Sequence, residues 1–269
     1  MGSTHRKKFL TRRRTVVGGL GAGLLVAGAL TTTSLMSTAS AAEWPTPSGD
    51  RKVSETQEIS GVVDGKMTRY IGEGDLGGGD QGEGKDPIFE LADGATLKNV
   101  VLGSPAADGI HCMGSCTLEN VWWEDVGEDA ASFKGGEGST YEVMGGGARK
   151  ADDKVLQFNG GGTLKVSGFA VEDFGKLVRS CGNCSEQTDR HVELKDIEVK
   201  APGKALVGVN ENYGDTARLS GIRILGDEDR KIEPCVRYQG NDSGDEPEET
   251  GKGPDGKTCL YKEGDISYE

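Results

Sequence analysis

Histidine is scarce in this chain, and its scarcity argues against two common kinds of active site. The chain includes three histidines, and only His111 and His191 lie beyond the first 42 positions. A serine–histidine–acid triad needs a histidine beside its nucleophile, and many zinc centres need two or three. The sequence therefore directs attention to carboxylates and basic side chains.

Long apolar runs are also missing after residue 42, where no segment is apolar enough to span a bilayer. Within residues 1–42, three arginines at 12–14 precede an uncharged stretch at 16–30 and an Ala-Ser-Ala motif at 39–41. This order is typical of an export signal, and the arginines favour the bacterial twin-arginine route. A membrane anchor is the less favoured alternative because the apolar run is short. We expect a secreted, extracellular protein with no membrane association.

Positive charge is in short supply, with 31 Lys and Arg against 44 Asp and Glu and a formal net charge of −13. The segment 1–42 holds six of the basic residues and no acidic one, so its removal would leave −19. A chain this acidic repels phosphates, and we expect no nucleic-acid partner. Binding of an acidic polymer would require a metal ion and a local cluster of basic side chains.

The cysteines number six, and all of them lie beyond residue 42. They are Cys112, Cys116, Cys181, Cys184, Cys235 and Cys259. An even count in an exported chain indicates disulfides, although six cysteines allow fifteen pairings and the sequence does not choose among them. A pair between Cys235 and Cys259 would tie down the polar C-terminal tail. A redox or zinc half-site at residues 181–184 is a less favoured alternative.

Helical periodicity is weak throughout, and short alternating runs separated by Gly, Asn and Asp indicate strands and turns. Several of these runs resemble one another and recur at similar intervals along the chain. They begin at Leu97, Leu118, Tyr141, Val166, Leu194 and Leu219. Each unit is too small to bury its own apolar face, so neighbouring units must stack.

The repeats predict an all-β fold, a parallel β-helix with one coil per repeat. A leucine-rich repeat lacks support because its dense leucine pattern is absent, and a β-sandwich is the remaining alternative. We expect a leader at residues 43–58, the β-helix at 59–240, and an acidic tail at 241–269 tied to the domain by a disulfide. We also expect a monomer.

Stacked coils place residues of equal register about 4.8 Å apart. Asp108 and Asp129 have the same separation in the chain as Leu97 and Leu118, which start the first two repeats. Glu128 adjoins Asp129. Likewise, Lys154 and Arg179 have the same separation as Tyr141 and Val166. The spacing therefore predicts an acidic column and a basic column on successive coils.

Carboxylates on adjacent coils repel each other unless a cation lies between them, and calcium accepts several oxygen ligands in flexible geometry. Asp108, Glu128 and Asp129 are the predicted calcium ligands, with Glu83 from a glycine-rich segment in support. A solvated acidic face is the alternative. The basic residues of the following coils are Lys134, Lys154, Lys176 and Arg179. Calcium beside these cations suits a polymer that bears carboxylates, because neutralising a uronate acidifies the adjacent proton and permits β-elimination.

Several blocks of the sequence resemble polysaccharide lyase family three, the compact pectate lyases. The resemblance is carried by residues 108–112, 120–130, 133–135, 151–160, 174–184 and 210–217. It extends over roughly residues 59–240. Two positions depart from the expected pattern, Phe158 where a more polar residue is expected and Val178 where an aromatic one is expected, which puts the details of sugar stacking in doubt.

The resemblance implies a right-handed parallel β-helix and calcium-dependent cleavage of polygalacturonate by β-elimination, giving 4,5-unsaturated products. It implies that Asp108, Glu128 and Asp129 hold Ca²⁺, with Glu83 more loosely aligned, and that Lys134 and Lys176 contact substrate. Lys154 falls at the position of the candidate base. Arg179 is then expected to bind developing charge or to protonate the leaving oxygen.

The reverse assignment of Lys154 and Arg179 is the alternative. Calcium and Arg179 would lower the proton affinity of Lys154, and we expect an alkaline pH optimum. Two competing functions are a non-catalytic module that grips pectate through calcium, and a hydrolase of the polygalacturonase kind. The first needs the acids but neither Lys154 nor Arg179, and the second works without calcium.

Overall fold

Strands dominate residues 43–78 and 84–269, which are the residues that the computed structural model describes. The strands are β1 Gly49–Val53, β2 Gln57–Ile59, β3 Val62–Gly72, β4 Phe89–Leu91, β5 Ala95–Leu102, β6 Ile110–Cys112, β7 Cys116–Trp123, β8 Ala131–Phe133, β9 Thr140–Met144, β10 Gly147–Phe158, β11 Gly162–Ser167, β12 Ala170–Ser180, β13 Arg190–Lys195, β14 Glu198–Asn210, β15 Thr216–Ser220, β16 Ile222–Leu225, β17 Glu233–Gln239, β18 Glu248–Lys252, β19 Cys259–Leu260 and β20 Ile266–Tyr268. Short 3₁₀ helices occupy Gly74–Gly77, Glu211–Tyr213 and Glu263–Asp265. Within this part of the chain, no helix has the length and apolar character needed to cross a bilayer. The predicted export signal at residues 1–42 lies outside the described residues.

The strands pair in parallel along three faces of a solenoid, which confirms the predicted parallel β-helix. The first face runs from β3 through β5, β7, β9, β11, β13 and β15 to β19. The second runs from β1 through β3, β5, β7, β10, β12, β14 and β16 to β20. The third runs from β2 through β4, β6, β8, β10, β12 and β14 to β17. The long strands bend and contribute to two faces each.

A tight turn between the first two faces explains the sequence repeat. The third residue of each repeat unit has a positive φ, a conformation that Gly, Asn and Asp adopt most readily. These residues are Asn99, Asn120, Gly145, Gly168, Asp196 and Gly221. Neighbouring turns are linked by side-chain hydrogen bonds, because Asn120 donates to Asn99 at 2.8 Å and Asn99 donates to Asp64 at 3.0 Å.

The third repeat unit lies in a different register from the one that the sequence pattern predicts. Leu118 pairs with Val143, and Val143 pairs with Val166, so this unit begins at Val143 and not at Tyr141. The corrected unit has Gly145 as its third residue, with the left-handed conformation of its counterparts. The pairings of Leu97 with Leu118, of Val166 with Leu194 and of Leu194 with Leu219 are as predicted.

Both ends of the described chain contribute strands to the solenoid. Within the segment 43–58, the predicted leader, β1 pairs with β3 and β2 pairs with β4. The tail contributes β19 and β20 to the first two faces, and β18 pairs antiparallel with β17. As expected, a disulfide joins Cys235 to Cys259.

The other four cysteines form two disulfides that close short loops, Cys112–Cys116 and Cys181–Cys184, which leaves no free thiolate at residues 181–184 for the alternative zinc half-site. The core between the faces is apolar and contains packed aromatic rings. Tyr141 lies 5.0 Å from Phe133 and 5.4 Å from Phe158 between ring centroids. Phe158 and Val178 are fully buried in this core. These two departures from the family pattern therefore concern packing and not sugar stacking.

Candidate active site

Three carboxylates meet at the edge of the third face, as the spacing predicted. Asp108 and Asp129 each lie just before a strand, and those strands pair Ile110 with Ala131. One carboxylate oxygen from each of Asp108, Glu128 and Asp129 lies within 4.8 Å of the others. This separation is within the reach of one cation whose bonds to oxygen are about 2.3–2.6 Å long.

The electrostatics of this acid cluster favour a bound cation. Asp108 and Asp129 are 6% and 3% exposed, and the Oδ1 atom of each is buried without a hydrogen bond from any described residue. Burial raises the pKa of Asp129 to about 7, with Lys154 opposing the rise and the charges of Asp108 and Glu128 adding to it. Buried anionic oxygens without donors are costly in the absence of a counter-charge.

Calcium fits this donor set, because all three side chains offer the hard oxygen ligands that it prefers. Asp108, Glu128 and Asp129 are the residues that would hold it. Glu83, the fourth predicted ligand, lies outside the described residues. The chain re-enters the description at Gly84, which with Lys85 and Asp86 lines the same cleft.

Lys154 stands beside the acid cluster, on the next coil. Its Nζ lies 3.7 Å from Asp129 Oδ1 and 2.8 Å from Asp153 Oδ2. Burial by itself lowers the pKa of Lys154, but the charges of Asp129, Asp153 and Glu128 outweigh burial and leave the pKa raised. In the metal-free protein this lysine is therefore held as an ammonium.

The cation paired with Lys154 on the following coil is Lys176, which corrects the predicted basic column. Lys154 pairs with Lys176 across β10 and β12, whereas Arg179 pairs with Gln157. The two lysines share Asp153, whose Oδ1 lies 3.3 Å from Lys176 Nζ. The predicted acidic and basic columns are therefore one column. It consists of Asp108, Asp129, Lys154 and Lys176 on successive coils.

Arg179 lies in a parallel row on the outer side of the third face. Pairing places His111, Ser132, Gln157 and Arg179 at equal register on successive strands. The first three line the cleft, and Arg179 is one strand beyond it. Arg179 is 8% exposed, and its guanidinium lies 4.2 Å from the centre of the Tyr238 ring. Burial lowers the pKa of Arg179 from its ordinary value, and an arginine remains a cation at neutral pH.

Lys134 reaches the acid cluster through a histidine that the sequence analysis did not assign to the site. His111 Nε2 lies 2.6 Å from Asp108 Oδ2, and Lys134 Nζ lies 3.1 Å from His111 Nδ1 and 3.2 Å from His111 Nε2. The ring donates to the carboxylate through Nε2, and the Lys134 ammonium lies against the ring, at nearly equal distances from its two nitrogens. His111 thereby fixes the orientation of a predicted calcium ligand.

The cleft that joins these groups has a volume of about 650 Å³. Its lining includes Asp108, Glu128, Asp129, Lys134 and Lys154 from the predicted set. The lining residues that sequence analysis missed are His111, Ser132, Gln157, Asn159 and the 181–184 disulfide loop. The sequence spacing could have identified His111, Ser132 and Gln157, because these residues share one register position on successive coils.

Comparison with known proteins places this geometry among pectate-cleaving enzymes. A family profile described as pectate lyase matches residues 41–245. Probable pectate lyase E of Neosartorya fischeri is 47% identical over 225 residues, which cover 82% of this chain and 86% of that protein. Pectate lyase E of Emericella nidulans is 46% identical, and the match covers 82% of this chain and 86% of that protein.

Solved structures agree with the sequence comparisons. The catalytic domain of pectate lyase PelI from Erwinia chrysanthemi superposes with a TM-score of 0.69 at 32% identity, covering 83% of this chain and 98% of that domain. The same enzyme in complex with tetragalacturonic acid gives a TM-score of 0.67 at 34% identity, covering 81% of this chain and 70% of that one.

Proposed function

The chain belongs to the pectate lyase family, polysaccharide lyase family three, and is an enzyme that cleaves pectate; we propose that it does so by calcium-dependent β-elimination. The products are then oligogalacturonates with a 4,5-unsaturated residue at the new non-reducing end. The single observation that carries this proposal is the adjacency, in one cleft, of a three-carboxylate cluster and Lys154.

A calcium ion held by Asp108, Glu128 and Asp129, with Glu83 as a further candidate, would neutralise a substrate carboxylate and acidify the neighbouring ring proton. The protein must then supply a base, a partner for the charge that develops, and contacts that hold the polymer. Basic side chains for all three tasks lie along the third face.

Lys154 is the proposed base, accepting the proton at Nζ. Its carboxylate neighbours Asp129 and Asp153 raise its pKa, so the neutral amine becomes abundant only at alkaline pH. Lys176, which pairs with Lys154 on the next coil, acts against these carboxylates, because a second ammonium nearby disfavours protonation of Lys154. Turnover should therefore increase with pH on the alkaline side of neutrality.

Arg179 is the proposed partner for the developing negative charge. It stays protonated throughout the working range, which suits charge stabilisation better than proton abstraction. For this reason we prefer Lys154 over Arg179 as the base. Lys134 and Lys176 are the proposed contacts for substrate carboxylates.

Secretion is part of the same proposal. Three disulfides among the described residues suit an oxidising compartment, and pectate is an extracellular polymer. The predicted export signal at residues 1–42 would direct the chain there.

The test is an assay of purified protein on polygalacturonate, with the ultraviolet absorbance of the unsaturated product as the readout. We expect activity with calcium, loss of activity with a chelator, and recovery when calcium is restored. Lys154→Ala should lower turnover by about 10²- to 10⁴-fold, the range for loss of a general base. Lys165→Ala, on the exposed side of β11, is the matched control and should behave as the wild type.

Three outcomes would contradict the proposal. Cleavage that produces no unsaturated chromophore would indicate hydrolysis. Full activity in excess chelator would remove calcium from the mechanism. A folded Lys154→Ala variant with turnover within about threefold of the wild type would exclude Lys154 as the base.

A further inference from the structure

We propose that Asn210 is a positioning residue that fixes the guanidinium of Arg179, and that Asp215 holds the Asn210 amide in the orientation this requires. The inference rests on the proposed role of Arg179 and extends it to two buried residues that do not line the cleft.

The guanidinium of Arg179 is held along one edge. Its Nη1 atom donates to the carbonyl of Ser180 at 2.5 Å, to the carbonyl of Gly208 at 3.3 Å and to Asn210 Oδ1 at 3.1 Å. Among residues 43–78 and 84–269, every hydrogen bond of this side chain comes from Nη1. The remaining nitrogens, Nε and Nη2, thus keep their donors for another partner.

Asn210 supplies the one side-chain acceptor in that set, and its own orientation is fixed. Asn210 is fully buried at the end of β14. Its Nδ2 donates to Cys181 O at 2.9 Å and to Ser180 Oγ at 3.1 Å. These acceptors require the amide nitrogen to face away from Arg179, and this turns Oδ1 toward the guanidinium.

Asp215 completes the arrangement. It is 1% exposed, and its Oδ2 accepts from the backbone N–H of Asn210 at 2.8 Å, from Asn210 Nδ2 at 3.2 Å and from Ser180 Oγ at 2.5 Å. Its Oδ1 accepts from the backbone N–H of Arg190 at 3.0 Å. A buried carboxylate with several donors forms a rigid anchor, because breaking any one bond leaves a buried group unsatisfied.

The alternative role for Asn210 is purely structural, as one member of a buried polar network. The two roles differ in one respect that can be measured. If Asn210 acts through Arg179, its replacement should no longer affect turnover once Arg179 has also been replaced. If its role is only structural, its replacement should lower turnover by the same factor whether or not Arg179 is present.

The experiment is a double-mutant cycle of Asn210→Ala and Arg179→Lys, with kcat and KM on polygalacturonate in saturating calcium as readouts. We expect Asn210→Ala to lower kcat by about 10- to 100-fold with KM within about twofold, since misplacement of a charge-stabilising group affects the chemical step. In the Arg179→Lys background the same substitution should change kcat by less than about threefold.

Asn212→Ala is the matched control. Asn212 lies near Asn210 in the chain, and its side-chain hydrogen bonds within the described chain both go to Gly240 and not to Arg179. The substitution should lower the melting temperature without changing kcat. If Asn210→Ala fails to fold, Asn210→Ser replaces it, because serine keeps a buried hydroxyl but is too short to accept from Nη1.

The outcomes separate this inference from the proposed function. Equal losses of kcat from Asn210→Ala in both backgrounds would overturn the positioning role and leave Arg179 in place. Wild-type kcat in Asn210→Ala would overturn it as well. Wild-type kcat in Arg179→Lys, with Lys154→Ala inactive, would instead refute the role of Arg179 on which the inference rests.

Discussion

Replacing Asp129 with asparagine should stabilise the metal-free protein above neutral pH while it abolishes calcium binding. Asp129 is 3% exposed and lies beside two other carboxylates. Burial and these neighbours raise its pKa from 3.8 to about 7. A folded-state pKa above the unfolded value means that the ionised form costs free energy in the folded protein.

The magnitude follows from the size of that shift. A change from 3.8 to about 7 corresponds to about 4 kcal/mol in the free energy of unfolding. The cost is absent below about pH 4, where Asp129 is protonated in both states, and it is complete above about pH 7. That shift already includes the attraction of Lys154, but the buried asparagine amide would lack hydrogen-bond partners at a cost of about 2 kcal/mol, so we expect a net gain of about 2 kcal/mol at pH 8.

Urea unfolding in excess chelator, from pH 5 to pH 9, measures this gain as the difference between the two proteins. The difference should be small at pH 5 and should grow as the pH rises through 7. Added calcium should reverse the order, because only the wild type binds it. Asp153→Asn is the matched control, since its side chain is half exposed, its pKa is lowered by Lys154 and Lys176, and its loss should destabilise the protein slightly.

The reasoning fails if Asp129→Asn in chelator at pH 8 is no more stable than the wild type. It also fails if the stability difference does not depend on pH. Either result would mean that the acid cluster is not strained in the absence of a cation, and the main electrostatic argument for a metal site would be lost.

Two further substitutions test the rest of the cleft. Lys176→Ala should shift the rising limb of the pH–rate profile upward by about 0.5 pH units, because it removes a positive neighbour of Lys154; an unchanged limb would show that the two ammonium groups do not interact. Gly182→Ala should lower kcat/KM by about tenfold, since a Cβ there would collide with Arg179 Nη2 and with Pro247 Cγ. Gly138→Ala, where a Cβ meets nothing within 4 Å, is its control in steady-state kinetics, and equal activity of the two variants would contradict the expectation.

The acid cluster could be predicted from sequence because the coil that carries it has a constant length. Asp108 and Asp129 have the same separation in the chain as Leu97 and Leu118, and the structure pairs both faces of that coil at this step. When two successive coils have the same length, residues one repeat apart in the sequence lie at the same position on neighbouring coils.

The basic side of the cleft could not be placed in this way, because later coils differ in length. Lys154 pairs with Lys176 and not with Arg179, and the register irregularity between Ala151 and Lys154 accounts for one residue of that difference. The similarity of Tyr141 to the other repeat starts concealed the correct start at Val143. The left-handed turn residue, Gly145, was the signal that would have corrected the register.

Positioning residues were beyond the sequence for a different reason. Asn210 and Asp215 act through buried hydrogen bonds across coils, and no spacing rule relates them to Arg179. His111 was seen only as part of a motif, since its contacts to Asp108 and Lys134 depend on the depth of the cleft.

Calorimetric titration of calcium into the metal-free protein at pH 8 tests the central claim most directly. We expect one calcium ion per chain, with an affinity that falls by up to about tenfold per pH unit below pH 7 as Asp129 takes up its proton. Asp108→Asn should weaken binding by about 100-fold or more, whereas Asp125→Asn, a partly exposed acid outside the cluster, should bind as the wild type does. Absence of binding in the wild type, or undiminished binding in Asp108→Asn, would contradict the account.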